Sequence, residues 1–76
     1  MHTEGYNEND VVRVTRALQG EDAYRGDPVS VPSGEVGTIV VGEPGDSEYD
    51  VEFILNNEHG PYSAVLIVTA EDLAPA

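Results

Sequence analysis

The chain has 76 residues, no cysteine and a net charge of −12 with histidine neutral, because fifteen acidic residues face only three arginines and no lysine. A chain of this length forms one domain with a thin core, and without cysteine it can form neither a disulfide nor a thiolate metal site. The shortage of cations disfavours direct binding to nucleic acid or to anionic membrane surfaces, whereas a basic protein partner is allowed.

The composition also bears on location and on the meaning of the charge. The absence of cysteine suits a reducing cytoplasm, and we find neither an apolar run long enough to span a membrane nor a signal-peptide pattern, so we expect a cytoplasmic protein. The acidic excess has two interpretations. The commoner one is that it keeps a small domain soluble, and the other is that it attracts a basic partner.

The first half of the domain is predicted to contain one strand and a long loop. Residues 1–9 are polar and are predicted to be a flexible N-terminal segment, with the folded domain spanning 10–76. Residues 10–16 are rich in β-branched side chains and are predicted to form the first strand. Residues 17–33 are interrupted by glycines, prolines and acids, which predicts a long irregular loop with a brief extended stretch at Val29 and Val31.

A β-hairpin is predicted next, with strands over 34–41 and 46–55 around a turn at 42–45. Its second strand alternates strictly between two kinds of side chain, which are Glu48, Asp50 and Glu52 on one side and Tyr49, Val51 and Phe53 on the other. Because successive side chains on a strand point to opposite faces, this pattern predicts an apolar inner face and a carboxylate outer face. A register slip of one residue would bury three acids.

The last part of the chain is predicted to form a turn, a strand and a short helical turn. Residues 56–61 are turn formers, and residues 62–68 form a strand that is apolar on both faces, so we expect it to be central or covered on both sides. Thr69 and Asp72 have the spacing of a capping box, which would open at most one turn of helix. Leu73 is expected to close one end of the core.

This order of elements predicts an all-β fold, a small SH3-like barrel of about five antiparallel strands with a long first loop and a short 3-10 turn near the C-terminus. An open four-stranded meander is the main alternative. Four segments also resemble SH3-like barrel proteins of the electron-transport accessory and nitrile hydratase β-subunit type: Asp10-Val-Val-Arg-Val, Gly34-Glu-Val-Gly-Thr-Ile, Tyr49-Asp-Val-Glu-Phe and Thr69-Ala-Glu-Asp-Leu-Ala-Pro. In length the chain resembles a family of short bacterial domains of unknown function. The resemblance implies a barrel, and the shared segments carry no catalytic residue.

Two groups of residues are candidates for binding a protein partner. Tyr24 and Arg25 lie in the long loop, where binding residues concentrate, and Arg25 is the last cation of the chain and is expected to stand alone, free to bind a partner carboxylate. The second group is the carboxylate face of Glu48, Asp50 and Glu52. Neighbours on that face lie roughly 6.6 Å apart, which is wide for one Ca²⁺ ion, so we expect a solvated face or a basic partner and no metal site.

Catalysis and cofactor binding are not predicted. His2 and His59 are the groups expected to titrate near neutrality, and neither has a nucleophile at a recognisable spacing. Gly34 and Gly37 lack the helix and the lysine of a phosphate loop, so a turn explains them better. Tyr49 is assigned to the core, and Tyr62 to a groove or to partial core packing.

We therefore expect a non-catalytic protein-interaction module, an accessory or regulatory subunit of a bacterial enzyme complex. The alternative is an acidic inhibitor or immunity-type protein that covers a basic site by charge complementarity.

Overall fold

The computed structural model describes residues 5–76 and shows a chain made mostly of β-strands. They are β1 (Val11–Val14), β2 (Leu18–Glu21), β3 (Pro28–Val31), β4 (Val36–Val41), β5 (Glu48–Asn57), β6 (Gly60–Thr69) and β7 (Leu73–Pro75), with a 3-10 turn at Ala70–Asp72. All pairings are antiparallel and form a five-stranded sheet in the order β6-β5-β4-β1-β7 and a separate two-stranded sheet of β2 and β3. The all-β class and the 3-10 turn are confirmed, with seven strands in place of about five.

The long hairpin of β5 and β6 is the largest element. Its strands pair without interruption from Glu48 opposite Thr69 to Asn57 opposite Gly60. The chain therefore reverses at Glu58 and His59 alone, and the predicted turn over 56–61 is wrong in extent. The strands run closer to the tip because Asn57 and Gly60 still pair across the two-residue turn.

The inner face of the sheet forms the core, and the predicted alternation in β5 is confirmed. Tyr49, Val51 and Phe53 are at most 1% exposed. Gly37 of β4 lies directly against this layer, because a Cβ at that position would stand 2.8 Å from both the Glu52 carbonyl oxygen and the Phe53 ring. Gly34 has a φ of +88°, so turn geometry accounts for it, as predicted.

The predicted irregular loop over 17–33 is wrong, because most of it is a hairpin. β2 and β3 pair from Leu18 opposite Val31 to Glu21 opposite Pro28. Leu18, Val29 and Val31 point into the core, which confirms the extended stretch at the two valines. The pattern is weak in the sequence because each strand has only four residues, and Gly20 and Pro28 interrupt the alternation.

Strand β6 lies at the edge of the five-stranded sheet, so the predicted central position is wrong. Its two outward apolar residues have different surroundings. Val65 is 6% exposed because the turn between β2 and β3 covers it, whereas Ile67 is 55% exposed. The outward apolar residues of β6 therefore include one that the turn covers, Val65, and one that is open to solvent, Ile67.

The C-terminal segment returns to β1. β7 pairs with β1, with Leu73 opposite Val14, and Leu73 is buried in the core. The capping box is not formed as predicted, because the Thr69 hydroxyl donates to the Asp72 carboxylate at 2.8 Å and accepts from no backbone N–H of the 3-10 turn. Asp72 is instead held by Arg16, whose Nε and Nη2 donate to its two oxygens at 2.9 and 3.0 Å.

The described part of the N-terminal segment begins at Gly5, so the prediction of a flexible segment over 1–9 falls partly outside the described residues, as does His2. Tyr6 packs edge-to-face on Tyr49 with ring centroids 5.5 Å apart, and its N–H donates to the Tyr49 hydroxyl. That hydroxyl donates in turn to the Glu43 carbonyl oxygen at 2.9 Å. Among residues 5–76, no helix is long and apolar enough to cross a membrane.

Candidate protein-binding surface

The turn between β2 and β3 folds back onto the edge of β6. The Ala23 N–H donates to the Val65 carbonyl oxygen at 2.7 Å, and the Val65 N–H donates to Oδ2 of Asp22 at 3.1 Å. The turn thus pairs with the edge of β6 at Val65, and this fixes the position of Tyr24 and Arg25 relative to the main sheet.

Asp22 is the buried anchor of this turn, with its side chain 3% exposed. Its Oδ1 accepts hydrogen bonds from the backbone N–H groups of Tyr24 and Arg25 at 2.8 and 2.9 Å. The backbone N–H groups of Arg25 and Tyr24 lower the pKa of Asp22. The Val65 N–H and the positive charge of Arg25 lower this pKa further, while burial of the carboxyl raises it. The carboxylate is therefore ionised at neutral pH. Sequence reasoning missed this role because Val65 is distant along the chain.

Arg25 does not stand alone, and that expectation is wrong. Its guanidinium donates to the Ser63 carbonyl oxygen at 2.9 Å and lies 3.4 Å from Asp22 and 3.8 Å from Asp27. The turn folds onto β6 and brings these acceptors within reach, so the guanidinium already has three partners within the chain. Its side chain remains 55% exposed. Partner binding by Arg25 stays a prediction.

Tyr24 is the most exposed large apolar residue among those described, at 70%. The structure brings Tyr24, Arg25 and Glu52 together around one shallow hollow, whose other walls include Asp22 and Val65. The two groups of candidate residues therefore meet at Glu52. Glu48 and Asp50 lie outside the hollow, further along β5.

The carboxylate face carries aliphatic side chains that the sequence analysis did not assign to it. Glu48 is exposed, and Asp50 and Glu52 are half-buried. Asp50 lies between Val41 of β4 and Ile67 of β6 in the cross-strand register, so an acid alternates with two exposed aliphatic residues across the sheet. Five valine and isoleucine side chains of the described residues are at least 40% exposed, and all lie on the outward side of the five-stranded sheet: Val11, Val36, Val41, Ile54 and Ile67.

We call this surface, with Glu48, Asp50 and Glu52, the aliphatic–acidic face. The signal for it was present in the sequence. Ile54 follows Glu48, Asp50 and Glu52 at the same two-residue spacing, so it belongs to their side of the strand. Ile67 belongs to a strand whose two faces are both apolar.

His59 occupies the exposed tip of the long hairpin. Its ring Nε2 lies 3.4 Å from the Glu58 carboxylate, and its backbone N–H donates to Asn57 Oδ1 at 2.7 Å. Within residues 5–76, no three His, Asp or Glu side chains are grouped so that they could hold a metal ion. Tyr62 is half-buried against the core.

A scan against models of protein families found no match to this chain, and comparisons with curated proteins and with solved structures found none either.

Proposed function

We propose that this chain is an SH3-like barrel that works as a non-catalytic protein-interaction module, an accessory or regulatory subunit of a bacterial enzyme complex. The order of elements supports the barrel. In the five-stranded sheet, β1, β4, β5 and β6 are neighbours in chain order, and β7 returns beside β1 after a 3-10 turn. The β2–β3 hairpin inserted between β1 and β4 covers the core as a second layer.

The aliphatic–acidic face is the observation that carries the interaction function. Exposed apolar residues scattered singly are ordinary, but here every exposed valine and isoleucine of the described chain lies on one side of one sheet. Pairs such as Val41 and Ile67 flank Asp50 directly. An apolar surface with interleaved carboxylates fits a protein partner that offers both apolar contact and basic side chains. The proposal assigns this chain no catalytic residue and no cofactor, and its setting is the cytoplasm.

The same face also favours the second candidate function, an acidic inhibitor or immunity-type protein that covers a basic site. Glu48, Asp50 and Glu52 share one side of β5 in a protein with a net charge of −12. Such a protein would depend mainly on charge, and its association rate would fall steeply with ionic strength. An accessory subunit buries apolar surface and stays bound in salt.

The test is affinity capture from the native host at low and high ionic strength, with the unmodified chain and three variants. Ile54→Ser removes an exposed aliphatic residue from the face, Tyr24→Ala removes the aromatic residue of the hollow, and replacement of Glu48, Asp50 and Glu52 by their amides removes the charge. We expect capture to survive high salt and to be lost with Ile54→Ser. Capture that disappears in salt and with the amide variant alone would favour the inhibitor. Loss with Tyr24→Ala alone would move the interface to the β2–β3 turn, and a partner retained equally by all three variants would contradict the proposal.

A further inference from the structure

An open groove separates the outer edge of β6 from β2. Residues 18–21 line one side of the groove and residues 66–69 the other. At one end the two elements are joined by the hydrogen bonds of Val65 to Asp22 and Ala23, and at the other end Arg16 and Asp72 form an ion pair. β2 pairs with β3, and its Gly20 lies against the core side chain of Leu66, because a Cβ there would stand 2.8 Å from Leu66 Cδ1, so β2 meets β6 on the core side of the sheet.

The edge of β6 within this groove offers unpaired backbone groups. Both the N–H and the C=O of Val65 point away from β5, because they bond to Asp22 and Ala23. Backbone groups alternate sides along an antiparallel strand, so those of Ile67 and Thr69 also face the groove. The Thr69 C=O opens the 3-10 turn at Ala70–Asp72, so the groups left for a new ladder are the N–H and C=O of Ile67 and the N–H of Thr69, for which the described residues show no backbone partner. Asp22 and Ala23 thus make the first pair of a ladder that is not continued.

We infer that an extended segment of the partner protein adds to this edge as a strand, with its backbone paired to Ile67 and Thr69. This inference rests on the proposed function and names the part of the partner that binds. The groove between its two closed ends spans four residues of β6, or about 13 Å, so the added strand is short.

The side chains around the groove define the chemistry of that segment. One face of an added strand would lie over the apolar floor formed by Leu18, Leu66 and Val68. The other face would stand beside Ile67 and Thr69, whose neighbours on β5 are Asp50 and Glu48. Because strand side chains alternate between faces, the fitting segment alternates apolar residues with lysine or arginine.

Charge selects this occupant over a second copy of the same chain. Pairing two β6 edges would bring together two molecules that each carry a net charge of −12. Like charges at this density repel, whereas a basic segment is attracted to the same edge.

The probe is a short capped peptide in which valine and lysine alternate, followed by amide hydrogen exchange and by titration. We expect the peptide to slow exchange at Ile67 and Thr69, and a matched valine–glutamate peptide not to bind. A second matched peptide carries N-methyl groups on the backbone nitrogens of one edge, which keeps its side chains and charge but removes the ladder donors on that edge. A third peptide carries the N-methyl groups on its other edge. We expect binding to be lost with the peptide whose methylated edge faces β6 and to be kept with the other.

Ile67→Pro is the matching change in the protein. It removes the outward N–H of an edge strand, a position at which proline is tolerated, and leaves the pairing with β5 in place. We expect about tenfold weaker peptide binding, which corresponds to loss of one or two hydrogen bonds. The control Ile67→Thr keeps the N–H, so any loss that it shows measures the side chain alone, and Ile67→Pro should bind the peptide several-fold more weakly than Ile67→Thr. Should Ile67→Pro fail to fold, the N-methylated peptides still decide the question.

Three results would overturn the strand-addition site. Equal binding of both N-methylated peptides would show attraction by charge alone. A self-association that Ile67→Pro abolishes would make a second copy the occupant. Absence of any peptide binding would remove the site but leave the proposed function standing, provided that Ile54→Ser still abolishes capture of the natural partner.

Discussion

At the level of single residues, core and surface are immediate neighbours in this thin sheet. Phe53 is completely buried, whereas its neighbour Ile54 is 59% exposed. The ring of Phe53 packs against Gly37, so removal of the ring would leave a cavity at this point. The two adjacent positions therefore provide a matched pair for measuring burial.

We expect Phe53→Ala to lower the free energy of unfolding by about 3–5 kcal/mol, which approaches the total stability of a small domain. Ile54→Ala, one residue along the same strand, should change it by less than about 0.5 kcal/mol. Urea unfolding followed by circular dichroism measures both. A stable, cooperatively folded Phe53→Ala variant would show that the inward face of β5 is assigned incorrectly.

Asp22 makes the stability of the fold depend on pH, in the direction that its lowered pKa sets. Its pKa in the folded protein lies below the ordinary value of 3.8, so it contributes stability above that pH and loses the contribution as pH falls through the folded-state pKa. Asp22→Asn should therefore be less stable than the unmodified chain at neutral pH, and the difference should narrow on acidification below about 3.8. Asp27→Asn, whose side chain is 68% exposed, is the control within the same turn. Thermal unfolding as a function of pH measures both, and a constant difference across the pH range would contradict the role of Asp22.

At the scale of elements, the turn between β2 and β3 divides the edge of β6 into a covered part and an open part. Val65 donates its N–H to Asp22, while Ile67 faces the groove. We expect amide exchange at Val65 to be at least about tenfold slower than at Ile67, although both belong to one edge strand. Asp22→Ala should remove most of this difference. Equal exchange at the two amides would show that the turn does not pair with β6.

The strands differ in how well they can be predicted from the sequence. β5 was predictable because acids and apolar residues alternate over six positions and both faces are consistent with a half-buried strand. β2 and β3 were not, because four-residue strands interrupted by Gly20 and Pro28 give too few alternations.

The pairing between elements was harder still to predict. Asp22 looked like one acid among many, since its partner Val65 is reached only after the chain has formed β4 and β5. Of the candidate surface, the carboxylates were visible as a group, whereas the aliphatic residues among them came from four different strands.

At the scale of the whole molecule, charge opposes the compact state. The arginine–carboxylate pairs of the described residues involve Asp22, Asp27 and Asp72, and three arginines cannot neutralise fifteen acids. We expect moderate salt to raise the melting temperature at neutral pH because it screens the remaining repulsion. Calorimetry at increasing sodium chloride concentration tests this. A melting temperature that is unchanged or lowered by salt would mean that the acids are dispersed widely enough not to repel.

The pairing of β1 with β7 has a mechanical consequence. Val12, at the start of the chain's first strand, lies opposite Pro75 near its last residue, and Val14 lies opposite Leu73. A force that pulls the segment just before β1 away from the segment just after β7 therefore acts across this ladder and not along it, and it loads the hydrogen bonds one at a time, beginning with those nearest Pro75. The strands open like a zipper and are not sheared. The pair of β1 and β7 should consequently separate at low force when the segments before β1 and after β7 are pulled apart, however well the domain resists heat or denaturant.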